Sequence, residues 1–182
     1  LQCHQVEAKL KRYDAHTSES VHQQVLADLE AGKQIALVSD AGTPGISDPG
    51  VRLIEQVRSS DTEVKIEAIP GPSAVTAAVS IAGLAGNAFT FLGYAPQKKG
   101  RQTFFDNLTE YKHPVIFFES THRIRKTLES LAGIATEQEV LVARELTKLY
   151  EEVLIGTPEE IIEIMESEPV KQKGEFVIIF NQ

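Results

Sequence analysis

The sequence is poor in the residue types that mark several common kinds of site. A single cysteine, Cys3, excludes an internal disulfide framework and fits a reducing, cytoplasmic location. The five histidines lack the close spacing of metal ligands, so no metal site is predicted. No apolar run approaches the roughly 20 residues of a membrane span, and no signal peptide opens the chain, so no membrane association is expected. The net charge of −8 argues against indiscriminate nucleic-acid binding.

What the sequence does contain is a glycine-rich loop between a predicted strand and a predicted helix. The apolar run Ile35–Val38 predicts a buried strand over 34–39, and the helix is expected to start near Pro49. In open α/β sheets, ligands bind beyond the carboxyl ends of the strands, where this loop is expected to lie. The alternative is an ordinary turn between strand and helix. The loop lacks G-x-G-x-x-G, and no G-K-[ST] follows it, so a nucleotide-phosphate motif is not supported.

A second predicted strand, over 64–69, runs into a proline- and glycine-rich turn over 70–73. If the two strands are consecutive and parallel, their loops share one edge of the sheet and form the wall of a pocket. Strands and helices alternate to the end of the chain, which predicts an α/β fold. The best internal boundary lies near residue 86, so the expected organisation is two subdomains, 1–86 and 87–182.

Basic residues are concentrated between 98 and 126, where seven basic and three acidic side chains give a local charge of +4. Arg123 and Arg125 stand near a predicted helix start, where cations oppose the helix dipole. This arrangement suits an anion such as RNA phosphate. The alternative is that Glu119 simply neutralises Arg123. The residues predicted to bind phosphate are Lys98, Lys99, Arg101, Arg123 and Arg125.

Five motifs together resemble one known family. They are S-D-A-G-T-P-G-I-S-D-P-G (39–50), I-P-G-P-S-A (69–74), F-F-E-S-T-H-R-I (117–124), A-R-E-L-T-K (143–148) and K-G-E-F (173–176). In this order they look like the branch of the tetrapyrrole methylase fold whose members methylate a cytidine 2′-hydroxyl of 16S rRNA. The resemblance covers essentially all 182 residues. It implies two α/β subdomains, S-adenosylmethionine bound in the cleft between them, and a homodimer.

The resemblance also implies roles for particular residues. The ribose 2′-hydroxyl must lose its proton at or after its attack on the methyl group, and Glu119, Glu145 or Lys148 is expected to assist. Lys148 fits this role only if its pKa is depressed, and the sequence does not choose among the three. The positions that match cofactor contacts of the family are Asp40, Ala41, Gly42, Thr43, Ile46, Ser73 and Ala74.

Two other functions stay open at this point. One is a methyltransferase of the same fold that acts on a tetrapyrrole or a protein, and the other is a noncatalytic RNA-binding fragment. Members of the rRNA branch begin with a further strand and a cofactor loop before the position of Leu1. They also usually continue beyond the strand that matches 174–181. We therefore expect this chain to be most of such a protein, without its first strands and its carboxy-terminal extension.

Overall fold

A computed structural model describes residues 5–14, 16–60, 63–83, 87–135 and 137–181. The chain separates into two compact units, 1–72 and 73–182. Most of the predicted boundary segment, 84–86, lies outside the described residues, so the subdomains 1–86 and 87–182 stay a prediction. No helix in the described ranges is both long and apolar enough to cross a membrane.

Within its described residues, the first unit contains two helices, and the second begins near Pro49 as predicted. Helix α1 (Glu19–Glu30) follows Ser18, and Gly32, with a φ of 76°, follows its end. Helix α2 (Gly50–Ser59) begins directly after Pro49. The apolar faces of both helices contribute to a small core, formed by Val25, Leu53 and Val57.

The strands predicted over 34–39 and 64–69 are not formed. Neither segment is paired with another strand in the part of the chain that the structure describes. Their apolar side chains are accordingly exposed, with Val38 at 66 % and Ile69 at 80 %. A strand requires hydrogen bonds to a neighbour, and the composition of one segment does not supply that neighbour.

The second unit is built on a mixed five-stranded sheet. Its strands are β1 (Thr90–Tyr94), β2 (Val115–Ser120), β3 (Val140–Arg144), β4 (Glu152–Gly156) and β5 (Glu175–Phe180). Their order across the sheet is β1-β2-β5-β3-β4. β1 and β2 are parallel, whereas β5 runs antiparallel to both β2 and β3, and β4 runs antiparallel to β3.

Helices cover both faces of this sheet, as side-chain alternation along the strands requires. Along β2, Ile116 packs on one face, while Val115 and Phe117 pack on the other. The Ile116 face is covered by α3 (Ala74–Ile81), and the opposite face contacts the remaining helices. These are α4 (Arg101–Asp106), α5 (Ile124–Ala132) and α6 (Pro158–Ser167). The predicted α/β fold is therefore confirmed.

Helix α6 shows how closely local sequence can fix an element. Thr157 accepts a hydrogen bond from the Glu160 backbone N–H, and the Glu160 side chain accepts one from the Thr157 backbone N–H. This capping box satisfies two amide groups that a helix start otherwise leaves unpaired. Pro158 occupies the first helical position, where its missing N–H costs nothing. The start of this helix is therefore fixed by residues within one turn of it.

Candidate functional site

Three of the sequence motifs meet at one edge of the sheet in the 73–182 unit. β2 and β3 both run antiparallel to β5, so their carboxyl ends lie beside the amino end of β5. Ser120 is in register with Glu175, and Arg144 with Phe176. The segments that follow β2 and β3 and the segment that precedes β5 are therefore neighbours.

Hydrogen bonds connect the segments that follow β2 and β3 to the segment that precedes β5. Thr121 Oγ1 donates to the Gly174 carbonyl at 2.7 Å and accepts from the Gly174 N–H at 2.8 Å. The Glu145 N–H donates to the Glu175 carbonyl at 2.9 Å, and the Glu175 N–H donates to Glu145 Oε1 at 2.8 Å. Three segments that are distant in sequence are thus held in one fixed arrangement.

Two of the predicted catalytic residues, Glu145 and Lys148, are in contact at this edge. Lys148 Nζ lies 3.0 Å from Glu145 Oε1 and 2.7 Å from Glu175 Oε2. The Glu175 N–H, and then the Lys148 ammonium, hold the pKa of Glu145 below its usual value. Hydrogen bonds to Glu175 and to Glu145 raise the pKa of Lys148. The depressed pKa on which a proton-accepting Lys148 depended is therefore not found.

The loop after β3 carries an unusual backbone. Glu145 and Thr147 adopt φ values of 48° and 64°, a left-handed region that few residues other than glycine occupy. The buried Arg144 side chain stabilises the loop by donating hydrogen bonds to the carbonyls of Tyr150 and Val170, at 3.2 Å each. Such strain persists only where surrounding contacts fix it. Arg144 stands in the A-R-E-L-T-K motif, but nothing in the sequence shows that its side chain turns inward.

Gly174 is required at this edge for two reasons. Its φ of 128° is unfavourable for any residue with a side chain, and an added Cβ would lie 2.6 Å from Glu145 Cγ. We expect Gly174→Ala to lower the free energy of unfolding by about 2–3 kcal/mol through backbone strain and overpacking. Urea unfolding of purified protein measures this change.

The matched control for that variant is Gly133→Ala. Gly133 has no positive φ, and an added Cβ would meet only ordinary contacts, the nearest at 3.6 Å from the Ser130 carbonyl oxygen. Its unfolding free energy should stay within about 0.5 kcal/mol of the parent value. Equal stability of the two alanine variants would contradict the steric account of Gly174.

The third predicted catalytic residue, Glu119, lies at the end of β2 and is only 1 % exposed. Its Oε1 accepts from the Ser120 N–H at 2.7 Å and pairs with Arg123 Nε at 2.8 Å. Its Oε2 accepts from Thr127 Oγ1 at 2.6 Å and lies 3.6 Å from Arg101 Nη1. Both carboxylate oxygens are therefore engaged by neighbouring protein groups.

The arginines predicted to bind RNA phosphate are all paired with carboxylates. Arg123 and Arg101 pair with Glu119, and their side chains are 19 % and 9 % exposed. The alternative raised by the sequence, that Glu119 neutralises Arg123, is the arrangement observed. The exposed Arg125 pairs with Glu129 at 3.1 Å and with Glu166 at 2.7 Å.

Lys98 and Lys99 have a different environment. Both are exposed in the loop between β1 and α4. Among the described residues, no carboxylate forms an ion pair with either ammonium group. Of the five residues predicted to bind phosphate, these two have a charge that no carboxylate neutralises within the described residues.

In the 1–72 unit, the two predicted cofactor loops contact one another although their strands are not formed. Thr43 Oγ1 donates to the Pro72 carbonyl at 2.9 Å. Ser39 Oγ donates to the Gly42 carbonyl at 2.7 Å, which holds the first loop in a tight turn. A Cβ added to Gly42 would lie 3.7 Å from the Pro72 carbonyl oxygen. Of the predicted positions in this loop, Asp40, Ala41, Gly42 and Ile46 are exposed and Thr43 is half-buried.

The last two predicted cofactor positions lie at the start of α3. Ser73 is the N-cap residue and is half-buried, and Ala74 is the exposed first residue of the helix. Within the described ranges, no group of three or more histidine, cysteine, aspartate or glutamate side chains is arranged to hold a metal ion.

Comparison with known proteins places the chain among methyltransferases. Residues 3–162 match the family model of the tetrapyrrole (corrin/porphyrin) methylases. The chain is 40 % identical over 178 residues to ribosomal RNA small subunit methyltransferase I of Xylella fastidiosa, covering 96 % of this chain and 64 % of that protein. It is 36 % identical to the protein of the same name from Thermotoga maritima, covering 98 % of this chain and 78 % of that protein. The chain thus spans about two thirds to four fifths of the length of these relatives.

A solved structure shows the same fold at low sequence identity. The uroporphyrin-III C-methyl transferase of Thermus thermophilus, complexed with S-adenyl homocysteine, superposes with a TM-score of 0.57 at 13 % identity. The superposition covers 93 % of this chain and 75 % of that chain. At this identity, the likeness concerns the fold alone.

Proposed function

The chain belongs to the tetrapyrrole methylase family, in its ribosomal RNA small subunit methyltransferase I branch, and we propose that it methylates small-subunit rRNA. The methyl donor is S-adenosylmethionine and the acceptor is a cytidine ribose 2′-hydroxyl of 16S rRNA. The observation that carries this proposal is 36 % identity to the Thermotoga protein across 98 % of the chain. We further propose that the protein acts as a homodimer on the small ribosomal subunit in the cytoplasm.

The loops of the 1–72 unit have the character that this cofactor requires. Gly42 has no side chain to cover the backbone of this loop, so a ligand can approach the backbone closely. The neighbouring Ile46 is 46 % exposed and offers an apolar surface beside these polar groups. Asp40, Ala41 and Thr43 would hold the cofactor together with these two residues, and Ser73 and Ala74 would add a second contact. When bound, S-adenosylmethionine supplies an electrophilic methyl group.

The protein's main contribution to the reaction is positioning. Methyl transfer is an in-line displacement, so the attacking oxygen, the methyl carbon and the sulfur must be aligned, with oxygen and carbon roughly 3–3.5 Å apart before reaction. Backbone groups of the glycine loop would fix the donor, and basic side chains would fix the RNA. In that transfer the ribose oxygen would replace sulfur on the methyl carbon, and a residue of the chain would accept the hydroxyl proton.

Glu145 is the proton acceptor that we favour among the three predicted residues. Its side chain is 18 % exposed at the sheet edge, and its lowered pKa keeps it ionised at neutral pH. Lys148, with a raised pKa, is an ammonium ion and has no lone pair to offer. Glu119 is enclosed by the groups that neutralise it. A lowered pKa makes Glu145 a weak base, so its contribution to the rate is expected to be modest.

Sequence similarity does not favour a tetrapyrrole or a protein as the substrate. The relatives with 36–40 % identity are rRNA methyltransferases, whereas the uroporphyrin enzyme shares 13 %. The exposed Lys98 and Lys99 also suit a polyanion, because cationic side chains bind phosphate oxygens directly. The same relatives do not favour the other open function, a noncatalytic RNA-binding fragment, because they are methyltransferases.

The proposed activity is tested with radiolabelled S-adenosylmethionine and purified 30S subunits. We expect label to enter 16S rRNA and to protect one phosphodiester bond from alkaline cleavage, because that cleavage requires a free 2′-hydroxyl. Uroporphyrinogen should remain unlabelled in a parallel reaction. Labelled tetrapyrrole would contradict the assigned substrate. Binding to 30S subunits with neither cofactor binding nor transfer would instead establish the noncatalytic function.

A further inference from the structure

The loop over 95–100, which joins β1 to α4, is held at its start by two arginine side chains and ends at a glycine turn. At its start, Arg123 Nη1 donates to the Ala95 carbonyl at 2.9 Å, and Arg101 Nη1 donates to the Pro96 carbonyl at 3.1 Å. At its end, Gly100 turns the backbone with a φ of 80° into α4, whose first residue is Arg101. Both arginines thus hold the loop that presents the exposed lysines.

Buried side chains hold the two arginines in turn. Glu119 pairs with both guanidinium groups, and Thr127 connects the set by donating to Glu119 Oε2 and accepting from Arg101 Nη2 at 2.8 Å. Thr127 is fully buried. Arg101 also lies over the Phe105 ring, 4.9 Å from its centroid. We call Arg101, Glu119, Arg123 and Thr127 the loop clamp.

The clamp arginines are poorly suited to bind RNA themselves. To reach a phosphate, either guanidinium would have to leave Glu119, and a buried carboxylate that loses its partners is strongly unfavourable. It would also release the Ala95 or Pro96 carbonyl. The charges of both arginines are therefore neutralised by Glu119 inside the protein. The ammonium groups of Lys98 and Lys99 instead face solvent, without a partner carboxylate among the described residues.

We propose that the 95–100 loop is a preformed phosphate-binding element in which Lys98 and Lys99 contact RNA and the loop clamp acts only by positioning them. This inference rests on the proposed function, because it assigns the substrate contacts of the same protein. A loop that is ordered before binding loses less conformational entropy on association. The clamp should therefore affect affinity without adding a charge contact of its own.

Thr127 offers a test in which the altered side chain cannot touch RNA. Thr127→Val keeps the shape of the side chain but removes the hydroxyl, and Thr127→Ser keeps the hydroxyl. We expect Thr127→Val to weaken 30S binding by about 10-fold with an unchanged dependence on salt, and Thr127→Ser to bind like the parent protein. Amide hydrogen exchange should be faster over 97–100 in the valine variant and unchanged in β2 and β5.

The lysines are tested by the double variant Lys98→Ala/Lys99→Ala. The slope of log affinity against log salt concentration should become shallower by about 1.4–1.8, since each lost phosphate contact removes about 0.7–0.9. The control Lys33→Ala/Lys65→Ala removes the same charge from lysines that are paired with Asp28 and Glu67. Its slope should change by less than half as much.

Specific outcomes would overturn this inference. An unchanged slope in the Lys98/Lys99 variant would remove the lysines from the RNA contact. Parent-like hydrogen exchange and binding in Thr127→Val would remove the positioning role of the clamp. A slope that becomes shallower by about one in Arg123→Ala, which removes the charge, would show that Arg123 itself binds phosphate. Failure of the parent protein to bind 30S subunits would refute the proposed function, and hydrogen exchange without RNA would still decide whether the clamp orders the loop.

Discussion

Replacing Glu119 by alanine is expected to lower the free energy of unfolding of the 73–182 unit by about 3–5 kcal/mol. The carboxylate is 1 % exposed and is the shared partner of Arg101 and Arg123. Without it, two largely buried guanidinium groups keep their charge with no counter-ion, and Thr127 loses its acceptor. Urea unfolding, followed by circular dichroism, measures the change.

A matched carboxylate on the surface separates burial from the loss of an ion pair as such. Glu129 pairs with Arg125 at 3.1 Å, and both side chains are more than half exposed. Glu129→Ala should therefore cost less than about 1 kcal/mol. Glu119→Gln, which keeps the shape and some hydrogen bonds, should fall between the two alanine variants. Similar losses for Glu119→Ala and Glu129→Ala would show that the buried network contributes little to stability.

The elements of the 73–182 unit could largely be predicted because their signals are local. The first four residues of β2, 115–118, are all β-branched or aromatic, a composition that favours a strand. The capping box at Thr157 likewise contains all its partners within four residues. Where the determinants of an element lie next to one another in sequence, pattern and structure agree.

For the segments 34–39 and 64–69, the prediction from local sequence is wrong, because neither forms a strand. Their apolar composition favours strands, but a strand also needs a neighbour that completes its hydrogen bonds. No such neighbour is paired with them in the described part of the chain. The two loops after these segments are nevertheless in contact, through the hydrogen bond from Thr43 to the Pro72 carbonyl. That contact does not depend on a complete sheet.

The candidate site could be predicted in its composition but not in its pairings. Charge counting identified a basic segment, but it could not show that Arg101, 18 positions before Glu119, shares the same carboxylate as Arg123. It also could not show that Arg125 pairs with Glu166, on a different helix. Thr127 carries no sequence signal beyond its place one turn into α5. These pairings arise from tertiary structure, which brings distant side chains together.

Replacing Gly42 by phenylalanine is expected to abolish S-adenosylmethionine binding while leaving the protein folded. Gly42 stands at the exposed turn of the proposed cofactor loop, beside the Pro72 carbonyl. A phenyl group there would fill the space that the cofactor requires. The expected loss of affinity is at least about 100-fold, which corresponds to about 2.8 kcal/mol. Isothermal titration calorimetry with S-adenosylmethionine measures it directly.

Backbone strain is the competing explanation, and Gly32 provides its control. Gly42 has a φ of 75° and Gly32 a φ of 76°, so phenylalanine at either position meets a similar conformational cost of about 1–2 kcal/mol. An added Cβ at Gly32 has no neighbour within 4 Å, and that residue lies just after α1 rather than in the cofactor loop. Gly32→Phe should therefore match Gly42→Phe in thermal stability and the parent protein in cofactor affinity. Equal cofactor affinity in both variants would remove the 39–48 loop from the binding site. Backbone strain alone would then explain the changes in both stability and affinity.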